Sequence, residues 1–530
     1  MAARTQNRLA SLLHRLERLA SRPLGAVVLF ALGLALYALR AIAWPLTTGR
    51  DLDEYLYAYI QLFDQDVLLP WSLLFRTPVT PVVAGVSLDV LDGALAEPLC
   101  AVLFATSVVA WSAAALTFGP RVALVVAAAL LVYPGYGLMF HELASETTFA
   151  ASFALWAWLV ARAASRPSVG RFALVGLGVA LLALVRPGNA ILLVFVVFPF
   201  VLAGSWRDRW RWAGALALAA VLPLAAWTVH NGLRFDTYAL ARGGNAIVPF
   251  YRAFITDNIV GPENGDASMR LAAAMQRQLL TRDPYRSYDV TLEQLFRDGS
   301  FRVHEDLYVL SDQVFGWDSD YDVLREAGVE GVRAHPGTYA SGVLGTVWDQ
   351  LAKAQFRAAG ATEGDEPATP TSGGLPPPTE GEPIPAGQVV WISRPDQSIR
   401  QVWTSGTEWH FEFEDPAQRP RFDEIQRERD ALLDTLPDRE GNVELGLRLN
   451  QLSRWFPRPW MWIVAGIVGI ALRRPRGSAT LVALALAGLG VVVLNALGLF
   501  ADLHFVLPVA PAFVLLGAGG LLGARAEPAR

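Results

Sequence analysis

Apolar residues in this chain collect in long runs separated by short polar stretches, without the sustained alternation of strands. A hydrocarbon core of about 30 Å needs about 20 apolar residues in a helix, and runs near that length recur about ten times. They predict membrane-spanning helices over residues 24–44, 98–118, 122–136, 147–164, 172–185, 190–203, 213–229, 460–472, 479–499 and 505–522. The fifth and sixth are short and are divided by Arg186-Pro187-Gly188-Asn189. The pattern therefore predicts an α-helical polytopic membrane protein in three parts: a membrane domain over 1–229, a polar region over 230–458 and further membrane helices over 459–530. Within the polar region, 269–280 and 343–356 are patterned as helix. Residues 361–387, rich in Pro, Gly, Thr and Glu, read as a disordered linker. Trp403, Trp409, Phe411 and Phe413 show partial strand alternation, and 421–436 and 443–456 read as two more helices. No internal repeat is visible.

Arginine placement orients these spans. Arg4, Arg8, Arg15, Arg18 and Arg22 precede the first, which puts the N-terminus in the cytoplasm by the positive-inside rule. With ten spans the remaining short basic loops also fall inside: Arg121; Arg162, Arg166 and Arg171; Arg207, Arg209 and Arg211; Arg473, Arg474 and Arg476. The first run is too long for a cleaved signal peptide and lacks a small-residue cleavage site. Three polar clusters are then expected outside a plasma membrane: 50–97, 136–146 and the stretch 230–458 between spans seven and eight. Function is to be sought there.

Composition removes several classes. The 53% hydrophobic content exceeds that of soluble domains, and a net charge of −5 over 530 residues makes nucleic acid an unsuitable partner. Cys100 is the only cysteine, so neither an intramolecular disulfide nor a thiolate metal cluster can form.

The first external loop opens with Gly49-Arg50-Asp51-Leu52-Asp53-Glu54-Tyr55-Leu56-Tyr57-Ala58. Asp51 is placed to cap a helix, with Glu54 bonding back to its amide, and Asp53 falls in the first turn, where the helix end is positive. The segment Asp53-Glu54-x-x-Tyr57-Ala58 resembles the acidic motif of the GT-C glycosyltransferases, in particular the protein O-mannosyltransferase and aminoarabinose transferase branch. Arg76-Thr77-Pro78-Val79-Thr80-Pro81 is similar to that branch's arginine/proline motif, and His141-Glu142-Leu143-Ala144-Ser145-Glu146 to its second external acid. Arg186-Pro187, Trp227 through Asn231, and His504-Phe505 with Pro508 and Pro511 echo further positions. The branch's usual Arg-Tyr is His504-Phe505 here, and no motif is recognised in 230–458.

The resemblance implies transfer of a sugar from a polyprenyl-phosphate donor to an acceptor hydroxyl with inversion, on the external face. The leaving group is already good, so one base suffices, and Asp53 is the candidate. Glu54, Glu142 and Glu146 are supporting acids. The departing phosphate needs positive charge, for which Arg186 and Arg76 are the candidates. Tyr57, His141, His230, Asn231, Arg234 and His504 complete the candidate site. Asp53, Glu146 and His141 are the weak candidates for a divalent ion, Mg or Mn, although no short ligand spacing occurs; an interfacial histidine more often only hydrogen-bonds. Gly243-Gly244-Asn245 after the seventh span reads either as a turn or as backbone able to approach a ligand. The acceptor is a glycan, a lipid or a protein, and Trp391, Trp403 and Trp409 are placed to stack on sugars or to form a small core. A transporter or lipid flippase is the alternative, and a non-catalytic membrane scaffold a second. Carriers usually show inverted repeats and midplane polar residues.

Overall fold

The structure, a computed structural model, describes residues 15–281, 285–286, 289–298, 307–353, 389–392, 399–403, 409–436, 439–453, 455–499 and 503–525. The expected linker at 361–387 lies outside the described residues. Each of the ten predicted runs coincides with a helix. They are α1 (Pro23–Ala41), then, beyond the short α2 (Leu52–Gln61) and α3 (Val79–Asp89), α4 (Ala96–Leu116), α5 (Pro120–Val132), α6 (Ser145–Ser165), α7 (Val169–Val185), the 3-10 helix Pro187–Val201, and α8 (Trp206–Phe235). The polar region contributes α9 (Asp266–Ala274), α10 (Asp322–Ala334), α11 (Pro336–Ala352), α12 (Arg419–Asp434) and α13 (Val443–Ser453), and the chain returns through α14 (Pro459–Arg473), α15 (Ser478–Gly498) and α16 (Ala510–Leu522).

Four of these, α1, α4, α8 and α15, are long and apolar enough to cross a membrane by length and composition. Several others start on a proline in the first turn, where the missing amide costs no hydrogen bond. The short sixth run is accommodated by its geometry: 15 residues of 3-10 helix, rising about 2.0 Å each, reach roughly as far as the hydrocarbon core is thick. Helix α6 is long but carries Glu146 and Arg162. It packs between α4 and α7 with Phe149, Phe153 and Trp156 almost wholly buried, and it tolerates the two charges because Glu146 is paired with Arg186 while Arg162 is exposed in the last turn. At the C-terminal end α14 and α16 pack backbone to backbone through glycines, since a Cβ on Gly469 would stand 2.4 Å from the carbonyl carbon of Gly520. Helix α8 runs well past the predicted 213–229 at both ends.

Between the membrane portions, Phe250, Phe254, Leu271, Met275, Leu295 and Leu324 build a separate core around α9 and α10. Beyond it lies an antiparallel sheet, β3 (Val389–Ile392), β4 (Ile399–Trp403) and β5 (Trp409–Phe413), in sequential order. The predicted alternation at Trp403–Phe413 is this sheet; the side chains of Trp391, Trp403 and Trp409 are not among those described. Helix 421–436 appears as α12, and 343–356 begins earlier, as α11.

Candidate active site

The site begins with a contact that no local pattern announces. A two-residue parallel ladder, β1 (Thr47–Thr48) on β2 (Glu142–Leu143), pairs Thr47 with Glu142 and Thr48 with Leu143, and the Thr47 amide also donates to the His141 carbonyl at 3.0 Å. Gly49 permits the approach, because a Cβ there would lie 2.5 Å from the Ala144 methyl. The ladder sets the first turn of α2 beside the first turn of α6.

Asp51, Glu54 and Tyr55 share one face of α2, being spaced i, i+3 and i+4. Arg76 lies against this face: its Nη2 ion-pairs with Glu54 and stands 3.4 Å from Asp51, and its guanidinium is 5.4 Å from the Tyr55 ring centre. Burial alone would lower the Arg76 pKa, but Glu54, Tyr55 and Asp51 more than offset it and hold the arginine charged. Burial raises the Tyr55 hydroxyl above its ordinary value, although both Arg76 and Arg186 act on it in the opposite sense. Arg186, at the break after α7, donates from Nη2 to Glu146 at 2.6 Å and stands 5.8 Å from the Phe505 ring. Asn189 caps that break by donating to the Leu182 carbonyl. The next turn of the site comes from His504, whose Nδ1 is 3.9 Å from Glu142. Two donors in this cluster, Arg76 Nε and Arg186 Nη1, are buried and have no hydrogen-bond partner among the described residues.

Glu54, Arg76, Glu142, Glu146, Arg186 and His504 are thus brought together, and Asp53 projects from the same turn of α2. Its carboxylate is exposed and has no hydrogen bond or ion pair among the described residues. The expected capping role of Asp51 and Glu54 is corrected. Asp51 sits in the left-handed region (φ 58°, ψ 21°) and makes no side-chain cap bond. Both carboxylates are drawn to Arg76 instead. Tyr55, absent from the sequence-derived set, belongs to the site. It is 7% exposed, and its hydroxyl has no hydrogen bond among the described residues.

Other candidates face elsewhere. Tyr57 accepts a hydrogen bond from Arg429 of α12 and packs edge-on to Trp71. Burial pushes its pKa up to about 12. His141 is buried with its ring stacked 4.1 Å from Tyr37, and burial together with Arg40 lowers its pKa to about 3. It is therefore not placed with Asp53 and Glu146. Among the described residues no three His, Cys, Asp or Glu side chains converge as a metal site. His230 stacks on Trp227, Asn231 donates to Ala239 and Arg234 to the Leu62 carbonyl, at the far end of α2. Asp502 lies outside the described residues. The Gly243-Gly244-Asn245 turn is already occupied: Asp320 accepts from the Gly243 amide through its carboxylate and from the Asn245 side chain through its carbonyl. An open groove of about 700 Å³ beside α12, lined by Pro416, Arg419 and Asp423 among others, shares no residue with the cluster.

Residues 83–227 match the dolichyl-phosphate-mannose-protein mannosyltransferase family. The match spans α4 to α8 and contains Glu142, Glu146 and Arg186, and it agrees with the branch indicated by the motifs; Asp53, Arg76 and His504 lie outside it. Among solved structures, ArnT from Cupriavidus metallidurans bound to undecaprenyl phosphate is 14% identical, with 95% of this chain and 78% of that chain covered at a TM-score of 0.32. Its apo state gives 14% identity, 94% and 77% coverage and a TM-score of 0.30. No curated protein matches.

Proposed function

We propose that this protein is a membrane glycosyltransferase that moves a sugar from a polyprenyl-phosphate donor to an acceptor hydroxyl at the external membrane surface, with inversion. The observation that carries the reading is the pair of partly buried arginines, Arg76 and Arg186, each anchored by a carboxylate and each keeping one buried donor spare. Buried donors without acceptors are costly, and a phosphate is the acceptor that two arginines match best. The family match at 83–227 supports the same chemistry.

The roles follow from which acids are engaged. Glu54 and Glu146 are held by arginine and serve to fix it, whereas the Asp53 carboxylate is open to an incoming hydroxyl. Asp53 takes the hydroxyl proton as the anomeric carbon is attacked, and the phosphate leaves toward Arg76 and Arg186 with the Tyr55 hydroxyl donating beside them. The carrier alternative gains nothing from the structure, since the acids gather at one end of the helices. Radiolabelled sugar supplied as a lipid extract to vesicles holding the protein tests the reading: label transferred to an acceptor supports it, and uptake without transfer would replace it with a carrier.

A further inference from the structure

Helix α11 belongs to the polar region by sequence, yet it turns large apolar side chains outward and several polar ones inward. From Pro336 to Trp348 it carries no charged residue, while Arg333 and His335 precede this stretch and Asp349 and Lys353 follow it. Tyr339, Thr346 and Gln350 point into the protein, while Thr338 and Ser341 are exposed near the start of the helix. Tyr339 donates to the Leu497 carbonyl at 2.6 Å, Thr346 accepts from Arg252 at 2.9 Å, and Gln350 is buried. Its large outward side chains are apolar, Leu344 at 69% and Trp348 at 57% exposure. A helix in water places these groups the other way round.

The helix also lies across one end of the membrane helices. Near its start Tyr339 reaches the C-terminal end of α15, and at its finish the Ala352 carbonyl accepts from Arg458, immediately before α14. Both contacts are at the same end of the α14–α15 pair. The Trp348 ring is 6.1 Å from Trp460 in the first turn of α14. From there the exposed apolar surface continues along α14 through Val464, Ile467 and Val468. Tryptophans at such a junction are the residues that favour the headgroup level.

We infer that α11 lies in the membrane–water interface, with Leu344 and Trp348 seated among lipid acyl chains, so that the polar region is tied to the bilayer by its own helix as well as by the spans. The inference rests on the membrane reading of α14 and α15.

Nitroxide labels on Leu344→Cys and, separately, Trp348→Cys test it in the full chain, reconstituted in phosphatidylcholine–phosphatidylglycerol vesicles equilibrated on both sides. Cys100 is buried and stays unlabelled. Collisions with oxygen, which concentrates in lipid, should exceed those with a water-soluble nickel chelate at both positions, and the ratio should reverse at Met269→Cys on exposed α9. A ratio at 344 and 348 equal to that at 269 would overturn the inference, as would labels reached by neither reagent, which would mean a protein cover. An Ile467→Cys label separates the two readings: if it too is water-exposed, the membrane reading itself has failed.

Discussion

Arg186 and Arg252 are both arginines in protein surroundings, each paired with an acid, but they are used differently. All three Arg252 nitrogens donate: Nε and Nη2 to Asp257, and Nη1 to Thr346 and to the carbonyls of Ala496 and Leu499. It closes the polar region onto the end of α15 and leaves nothing for a ligand. Arg186 spends Nη2 on Glu146 and keeps Nη1 unsatisfied, as Arg76 keeps Nε. The lesson is that a buried charge alone does not mark a site, nor does a single unspent donor, since Arg40 Nη1, Arg209 Nε and Arg242 Nε are unspent as well. Arg76 and Arg186 stand out because their spare donors lie in one cluster with the acids of α2 and α6.

The largest expected effect is at the saturated arginine. Arg252→Ala leaves Asp257 and two carbonyls unpartnered in the interior, which should cost about 3–5 kcal/mol of stability. Heating in detergent followed by size-exclusion chromatography should show a lower midpoint, whereas an unshifted midpoint would remove the distinction between the two arginines. Next, Arg186→Lys keeps the charge beside Glu146 but lacks the planar fork. Affinity for a polyprenyl phosphate should fall about tenfold, the equivalent of one charge-assisted hydrogen bond, with the thermal midpoint nearly unchanged. Tyr55→Phe retains the ring under Arg76 and deletes only the hydroxyl. It should weaken the same binding by about threefold to tenfold; equal binding would make Tyr55 a packing residue.

The smallest effect is a pH slope at another paired arginine. Arg242 pairs with Asp312 at 2.7 Å under the Trp317 ring, yet burial raises the Asp312 pKa to about 7. The folded state then holds a proton that the unfolded chain, with its carboxyl at the ordinary 3.8, has released. Stability should fall as pH rises through that interval, and the fall should be shallower in Asp312→Asn. Identical slopes would mean that the pair is ionised throughout.

Much of this was written in the local pattern. Apolar runs located all ten helices, because a helix in lipid must satisfy its own backbone and so declares itself by length. Glu54, Arg76, Glu146 and Arg186 were legible as charges at run ends. Tyr55 is legible by the same rule, since its spacing from Asp51 and Glu54 sets it on their face, whereas Asp53 lies on another face of α2. Other features had no local signal. The β1–β2 ladder joins residues far apart in the chain, Arg252 reaches a carbonyl 244 positions away, and the contacts of α11 with α15 and with Arg458 before α14 likewise cross long stretches of chain. His141 was read as a candidate site histidine on position alone, whereas its ring is buried against Tyr37.

The central claim is that Asp53, whose carboxylate has no hydrogen bond or ion pair among the described residues, removes the acceptor proton. Asp53→Asn keeps the shape of that side chain and cannot accept a proton at neutral pH. Sugar transfer from a polyprenyl-phosphate donor, measured beside binding of the polyprenyl phosphate itself, should fall by about 10²- to 10⁴-fold while binding stays as in the wild type. Full transfer by Asp53→Asn at normal expression would contradict the account.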